Sequence, residues 1–181
     1  METDRSRPLV TLGGLSITVG ASAIISALGL WIALSLLGIF LLNFSVLEAF
    51  MVGLAAVALH WLSEFLHQLG HAAAARSTGY PMVGIHFWGL LSSSRYPSDE
   101  PVLPMSVHAR RALGGPTLSL FVTLFAVVPL LLLRQGTSAW WLAFFFFLDN
   151  LLVFTLGAFL PLGFTDGSTL LNLYRNRSSA E

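Results

Sequence analysis

The sequence predicts an all-α polytopic membrane protein with about four transmembrane helices and one small cytosolic β-hairpin. Of the 181 residues, 55% are hydrophobic and only 10% are charged, whereas about 25% of the residues in a soluble domain are charged. Four apolar stretches are also long enough to cross the hydrocarbon core of a bilayer, which takes about 20 helical residues. We therefore expect one membrane domain over residues 1–181, with the lipid bilayer as its surroundings.

The expected spans cover residues 21–42, 46–75, 112–133 and 138–162. The first is much longer than the apolar core of a cleaved signal peptide, so we expect it to stay attached. Before it, residues 9–19 alternate loosely and contain two glycines, which is typical of a short strand or a re-entrant segment. The fourth should end where Pro161 and Gly163 break the helix.

The only long polar connection lies between the second and third spans, over residues 77–108. Residues 82–91 have rough β character, and residues 92–101 are rich in turn residues. This pattern predicts a β-hairpin on the membrane face.

The distribution of arginine predicts the orientation in the membrane. Four spans place both termini on one side, and only Arg134 falls on the other side. Basic residues in short loops mark the cytoplasmic face, so both termini should be cytosolic, in what we expect to be a prokaryotic inner membrane. The arginines on the side of the termini are Arg5, Arg7, Arg76, Arg95, Arg110, Arg111, Arg175 and Arg177.

Charge and cysteine content exclude some functions. The formal net charge is zero, so charge gives no argument for nucleic-acid binding and we expect no nucleic-acid partner. The chain has no cysteine, which excludes disulfides and thiolate metal sites.

Two histidines of the second span have the spacing of metal ligands. His67 and His71 are four residues apart, which places both imidazoles on one face of a helix. Such a pair is often only a packing or hydrogen-bonding feature, but ionisable groups inside a membrane are costly and usually functional. Zinc would need a further protein ligand. Asp166, beyond the helix break, is the candidate; alternatively it caps a final helix over residues 167–174.

Three short motifs occur in a fixed order along the chain. Residues 67–71 read His-Gln-Leu-Gly-His, residues 112–120 contain Gly-Gly-Pro, and residues 161–167 run from Pro to Asp-Gly. The chain resembles, over about residues 9–174, the site-2 protease family of intramembrane zinc metalloproteases. That family has His-Glu-x-x-His in one helix, Gly-Pro opening the next, and a Pro-rich Asp-Gly motif on a later one.

The resemblance implies a zinc cofactor held by His67, His71 and Asp166, and intramembrane proteolysis near the cytosolic face. Gln68, however, stands where the family has its catalytic Glu. An amide cannot accept a proton at neutral pH, and general acid–base catalysis is worth about 10²–10⁴-fold. We therefore predict little or no hydrolysis from this metalloprotease-like chain. Further departures from the family pattern are Ala158, Gly163, Phe164, Thr165 and Ser168.

Three functional hypotheses are compatible with the sequence. The chain is a protease inactivated by a substitution at Gln68, or a natural pseudoenzyme that acts as an accessory or scaffold subunit of a larger membrane complex. In either case the partner is a transmembrane helix, of a substrate or of another membrane protein. A weaker hypothesis makes the histidines ligands of a haem or chlorophyll-type pigment, which leaves their spacing unexplained.

Other polar groups inside the spans have interpretations of their own. Glu64 lies near the face of the histidine pair, but a full turn from Gln68. We expect His60 and Glu64 to form an internal polar pair, and Asp149 and Asn150 to line a cleft or to pair within the bundle.

Overall fold

The computed structural model describes residues 8–178, so Arg5 and Arg7 lie outside the described residues. Within this described part of the chain, four helices are long and apolar enough to cross a membrane, which confirms the predicted fold class; they are Ala21–Leu42, Val46–Ser77, Met105–Leu132 and Ser138–Phe159. The chain divides into two compact units. The first comprises Met1–Leu59 and Met82–Ser98, and the second comprises His60–Pro81 and Asp99–Glu181.

The first unit contains a four-stranded sheet with the strand order β1-β2-β3-β4. The strands are β1 (Val10–Leu12), β2 (Leu15–Val19), β3 (Gly84–Trp88) and β4 (Leu91–Arg95). The turn between β1 and β2 consists of Gly13 and Gly14, whose φ angles are 56° and 86°. Glycine adopts positive φ without steric cost, and the two-residue turns that suit the twist of a hairpin require it. Of the two structures expected for residues 9–19, the chain forms the strand.

The predicted hairpin between the second and third spans is formed by β3 and β4, which pair antiparallel. Its second strand includes Ser92, Ser93 and Ser94, which we expected to lie in the turn-rich segment. Serine has little preference for strands, but pairing with β3 provides a partner for the backbone of these residues. The parallel pairing of β2 with β3 was not predicted, because it joins segments 68 residues apart, such as Ile17 and Ile85.

The helices of the first unit are α1 (Ala21–Leu42) and the beginning of α2 (Val46–Ser77). Most large apolar side chains of α1 are exposed, as expected for a helix that faces lipid. Contact with α2 is made through small residues and one indole: Trp31 Nε1 donates a hydrogen bond of 2.9 Å to the carbonyl oxygen of Phe50.

The second unit consists of the remainder of α2, followed by α3 (Met105–Leu132), α4 (Ser138–Leu148) and α5 (Asp166–Ser178). Helix α3 begins near Met105, seven residues before the predicted start of the third span at residue 112. Its first turns are polar, so the apolar pattern does not reveal them. Pro104, in extended conformation, precedes this helix.

Helices α2 and α3 are in backbone contact at two glycines. A Cβ atom on Gly70 would overlap the carbonyl of Gly114, and a Cβ on Gly114 would overlap the carbonyl of Gly70. Small residues at a crossing point allow transmembrane helices to approach this closely. The crossing brings the next residue of α3, Gly115, directly against the histidines of α2.

The fourth span differs most from the prediction of a continuous helix to residue 162. After α4 the chain forms a π-helical segment, Asp149–Leu156, and then a 3-10 turn, Gly157–Phe159. Consistent with π geometry, the N–H of Gly157 donates to the carbonyl of Leu152, five residues back. The predicted break follows at Pro161, and Gly163 adopts a φ of 91° before α5 begins.

Candidate metal centre

Three donor atoms converge in the second unit: Nε2 of His67, Nε2 of His71 and Oδ2 of Asp166. The two nitrogens lie 3.0 Å apart, and each is 3.5 Å from the carboxylate oxygen. Both histidines are buried, and Asp166 is partly buried. The structure thus brings together the three ligands chosen from the sequence, although 99 or 95 residues separate Asp166 from the histidines.

The arrangement fits zinc in both chemistry and size. Zinc is bound by imidazole nitrogen and carboxylate oxygen at 2.0–2.2 Å, and the corners of such a tetrahedron are about 3.3 Å apart. The observed donor separations of 3.0–3.5 Å bracket this value. Three protein ligands also leave the fourth position open, as catalytic zinc sites do.

The second nitrogen of each histidine is held by a residue of α3. Nδ1 of His71 donates to the carbonyl oxygen of Arg111 at 2.7 Å. The backbone nitrogen of Gly115 lies farther from the same Nδ1 atom, at 3.3 Å. Nδ1 of His67 is 3.0 Å from the hydroxyl of Ser119. Such contacts fix the ring orientation and leave Nε2 for the metal.

Asp166 is positioned at the first turn of α5. Gly167 permits this, because a Cβ there would overlap the carbonyl of Phe159. Burial tends to raise the pKa of Asp166, but hydrogen bonds with His67 and His71 outweigh it and hold the pKa below its usual value. Asp166 is therefore a carboxylate, the form that binds metal. It also begins the final helix, as the alternative interpretation expected, while its role as a metal ligand stays a prediction.

Residues that depart from the family pattern make a hydrogen-bonded turn before α5. The N–H of Gly163 donates to the hydroxyl of Ser168 at 2.7 Å, and that hydroxyl is 3.0 Å from the hydroxyl of Thr165. The Thr165 hydroxyl also donates to the carbonyl of Leu160. These small polar side chains satisfy backbone groups where Pro161 interrupts the helix.

Arg111 links α3 to the preceding loop. Its guanidinium donates to the carboxylate of Glu100, with one distance of 3.0 Å, and to the carbonyl of Tyr80 at 2.6 Å. The hydrogen bonds from Arg111 lower the pKa of Glu100 below its ordinary value. The same residue therefore anchors the loop with its side chain and supports His71 with its backbone.

Polar residues continue along the buried face of α2 on both sides of His67. Gln68 is buried between the two candidate histidine ligands in sequence, and the buried carboxyl of Glu64 lies about one turn further along the helix. The six buried polar residues of this face are His60, Ser63, Glu64, His67, Gln68 and His71, at the spacing of one helix face.

The residues of the fourth span that we expected to be paired within the bundle are paired with α2. Asp149 contacts Nδ1 of His60 at 3.1 Å, and the Asn150 side chain donates to the hydroxyl of Ser63 at 2.8 Å. His60 thus pairs with Asp149, a partner that the sequence did not suggest for it.

Sequence reasoning missed the supporting role of two α3 residues, Arg111 and Ser119. A signal was available, since Arg111, Gly115 and Ser119 recur at intervals of four and all are buried. This spacing gives one face of a helix, and the middle residue belongs to the Gly-Pro motif.

The fold is similar to that of a known protease. The structure is similar to that of the site-2 protease from Methanocaldococcus jannaschii, with a TM-score of 0.66 and 18% sequence identity. The match covers 95% of this chain and 72% of that one. No protein-family model and no curated protein sequence matches the chain. The chain therefore has the fold of a site-2 protease, and it is an integral membrane protein.

Proposed function

We propose that the chain is a site-2-protease-like protein that binds zinc through His67, His71 and Asp166 but does not hydrolyse peptides efficiently. The observation that carries the proposal is the convergence of their ligand atoms within 4.8 Å of one another. It occurs in a fold shared with an intramembrane protease, and at the three positions expected from the ordered motifs.

The weak point of the site as a catalyst is Gln68. When bound, zinc supplies Lewis-acid chemistry that polarises a carbonyl and activates water. A base must still take up the proton of the attacking water, and the amide of Gln68 cannot do so at neutral pH. The chain therefore retains the groups that hold the metal while it lacks the group that moves the proton.

A second candidate function is a non-catalytic accessory or scaffold subunit that binds transmembrane helices of other membrane proteins. It is favoured by the residues around Asp166, where Gly163, Thr165 and Ser168 form a hydrogen-bonded turn of their own. In the first candidate the bound helix is a substrate; in the second it is a lasting partner.

Orientation in a prokaryotic inner membrane, with both termini cytosolic, is proposed from the arginine distribution. Because the chain has no cysteine, single cysteines can test it directly. We expect Ser98→Cys to react with a membrane-impermeant maleimide only in inside-out vesicles. Gln135→Cys, in the loop between α3 and α4, should react only in intact spheroplasts. The reverse pattern would contradict the proposed orientation.

Metal analysis tests the zinc site itself. We expect the purified chain to contain about one zinc ion, because the three proposed protein ligands form one site. His67→Ala and Asp166→Ala should each lose most of it, because each variant leaves two ligands. The measurement is elemental analysis after dialysis against a weak chelator, with cobalt substitution as an optical check on the ligands.

His86→Ala is the matched control, since His86 lies in the first unit, in β3. It should keep the zinc of the parent chain. A parent chain without zinc after reconstitution, or equal zinc in all four proteins, would contradict the metal-binding proposal. A colourless purified protein would contradict the hypothesis that the histidines bind a haem or chlorophyll-type pigment.

A further inference from the structure

The buried face of α2 carries a second polar cluster, on the side of His67 away from His71. It consists of the His60–Asp149 pair and the Ser63–Asn150 pair, all four residues being buried. Ionisable groups inside a membrane are expensive and usually functional. None of these residues is among the proposed zinc ligands.

Two polar atoms of this region have no hydrogen-bond partner among the described protein atoms. They are Oδ1 of Asn150 and Oγ1 of Thr155, in residues that are 0% and 6% exposed. Nearly all buried polar groups in proteins are satisfied, either by protein or by ordered water. An orphaned acceptor and an orphaned hydroxyl together therefore indicate a missing polar partner.

The π-helical segment places both residues on a similar side of the helix. Asn150 and Thr155 are five residues apart, which is the hydrogen-bond interval of a π-helix and about one of its turns. Asp149 and Asn150 at its start reach α2. Phe154 lies against the same helix, with its ring centre 5.5 Å from that of His60 and 5.6 Å from that of His67.

We propose that Asn150 and Thr155 bind internal water beside the His60–Asp149 pair. Water has the required chemistry, because one molecule can donate to the Asn150 carbonyl and exchange a hydrogen bond with the Thr155 hydroxyl. Buried water makes about three such bonds to polar groups. Phe154 then separates this hydrated cluster from the zinc ligand His67, so the site is distinct from the metal centre.

The π-helical segment itself has a role in this hydrated cluster. Such segments are rare and are frequent at functional sites. Here the segment presents three polar side chains, Asp149, Asn150 and Thr155, to the interior of a transmembrane bundle. Water bound there would supply polar partners to buried side chains that are costly in the bilayer when they lack one.

X-ray footprinting in water labelled with ¹⁸O tests the proposal. Radicals formed from a bound water oxidise the side chains beside it, whereas bulk radicals rarely reach buried rings. We expect ¹⁸O on His60 or Phe154, at higher yield than on the buried ring of Phe87 in β3. The yield should fall severalfold in a variant with both Asn150→Leu and Thr155→Val. Labelling no stronger than at Phe87, or unchanged in the double variant, would overturn the proposal.

Thermal unfolding of Thr155→Val in detergent is an independent test, because the proposal predicts the sign of the change in Tm. A hydroxyl that binds water is lost at a cost, so the Tm should fall by a few degrees. A hydroxyl with no partner is better replaced by a methyl group, so the Tm would rise. Thr123→Val is the reference for a hydroxyl with a known partner, since the Thr123 hydroxyl donates to the Ser119 carbonyl at 2.9 Å, and its Tm should fall by a similar amount. A rise for Thr155→Val overturns the proposal whether or not the chain binds zinc.

Discussion

Replacing Gln68 by Glu should raise peptide hydrolysis by about 10²–10⁴-fold, the usual contribution of a general acid–base residue. Glutamate is nearly isosteric with glutamine, and the position lies on α2 between the two proposed histidine ligands in sequence. The substitution therefore restores a proton acceptor without a change of volume. Cleavage of a transmembrane reporter in proteoliposomes, followed by mass spectrometry of the products, measures the gain.

Two companion variants make the result specific. A chain with both Gln68→Glu and Asp166→Ala should show no gain, because the added carboxylate acts only beside an intact metal site. Gln68→Ala should remain at the level of the parent chain. If Gln68→Glu binds zinc yet cleaves no reporter, the protease assignment fails and the scaffold function becomes the better account.

Gly115→Ala should abolish metal binding, with an affinity loss above about 100-fold, which is the upper range for disturbing a supporting group alone. The reason is steric: a Cβ on Gly115 would overlap Nε2 of both His67 and His71. Those two atoms are the proposed donors. Zinc content and cobalt titration of the detergent-purified variant provide the measurement.

Gly29→Ala separates this effect from the general consequence of adding a methyl group to a transmembrane helix. Gly29 lies in α1, and a Cβ there meets nothing within 4 Å. This control should bind zinc as the parent does and be neutral or about 0.5–1 kcal/mol more stable, since alanine is favoured over glycine in helices. A Gly115→Ala chain that keeps full metal affinity would show that the donors lie elsewhere.

The candidate site was largely predictable because short motifs encode it. The four-residue interval between His67 and His71 places both side chains on one face of any α-helix. The Pro and Gly residues near Asp166 indicate the helix break after which the chain turns back. The supports Arg111 and Ser119 were harder to find, since one acts through a backbone carbonyl, which every residue possesses.

The parts of the fold that escaped prediction depend on contacts distant in sequence. Residues 149–156 are as apolar as a regular span, and nothing in their periodicity distinguishes a π-helix from an α-helix. The serines of β4 form a strand only because β3 lies beside them. Likewise, β2 pairs with β3 although two helices lie between them in sequence. Hydrophobic pattern identifies segments, but it does not identify their partners.

The two imidazoles of the metal centre are supported unequally. Nδ1 of His67 contacts the side-chain hydroxyl of Ser119, whereas Nδ1 of His71 donates to the main-chain carbonyl of Arg111. A single nucleotide change can delete a hydroxyl, but no codon removes a carbonyl. Over evolutionary time, therefore, drift in the gene can loosen His67 while His71 keeps its orientation for as long as helix α3 itself persists.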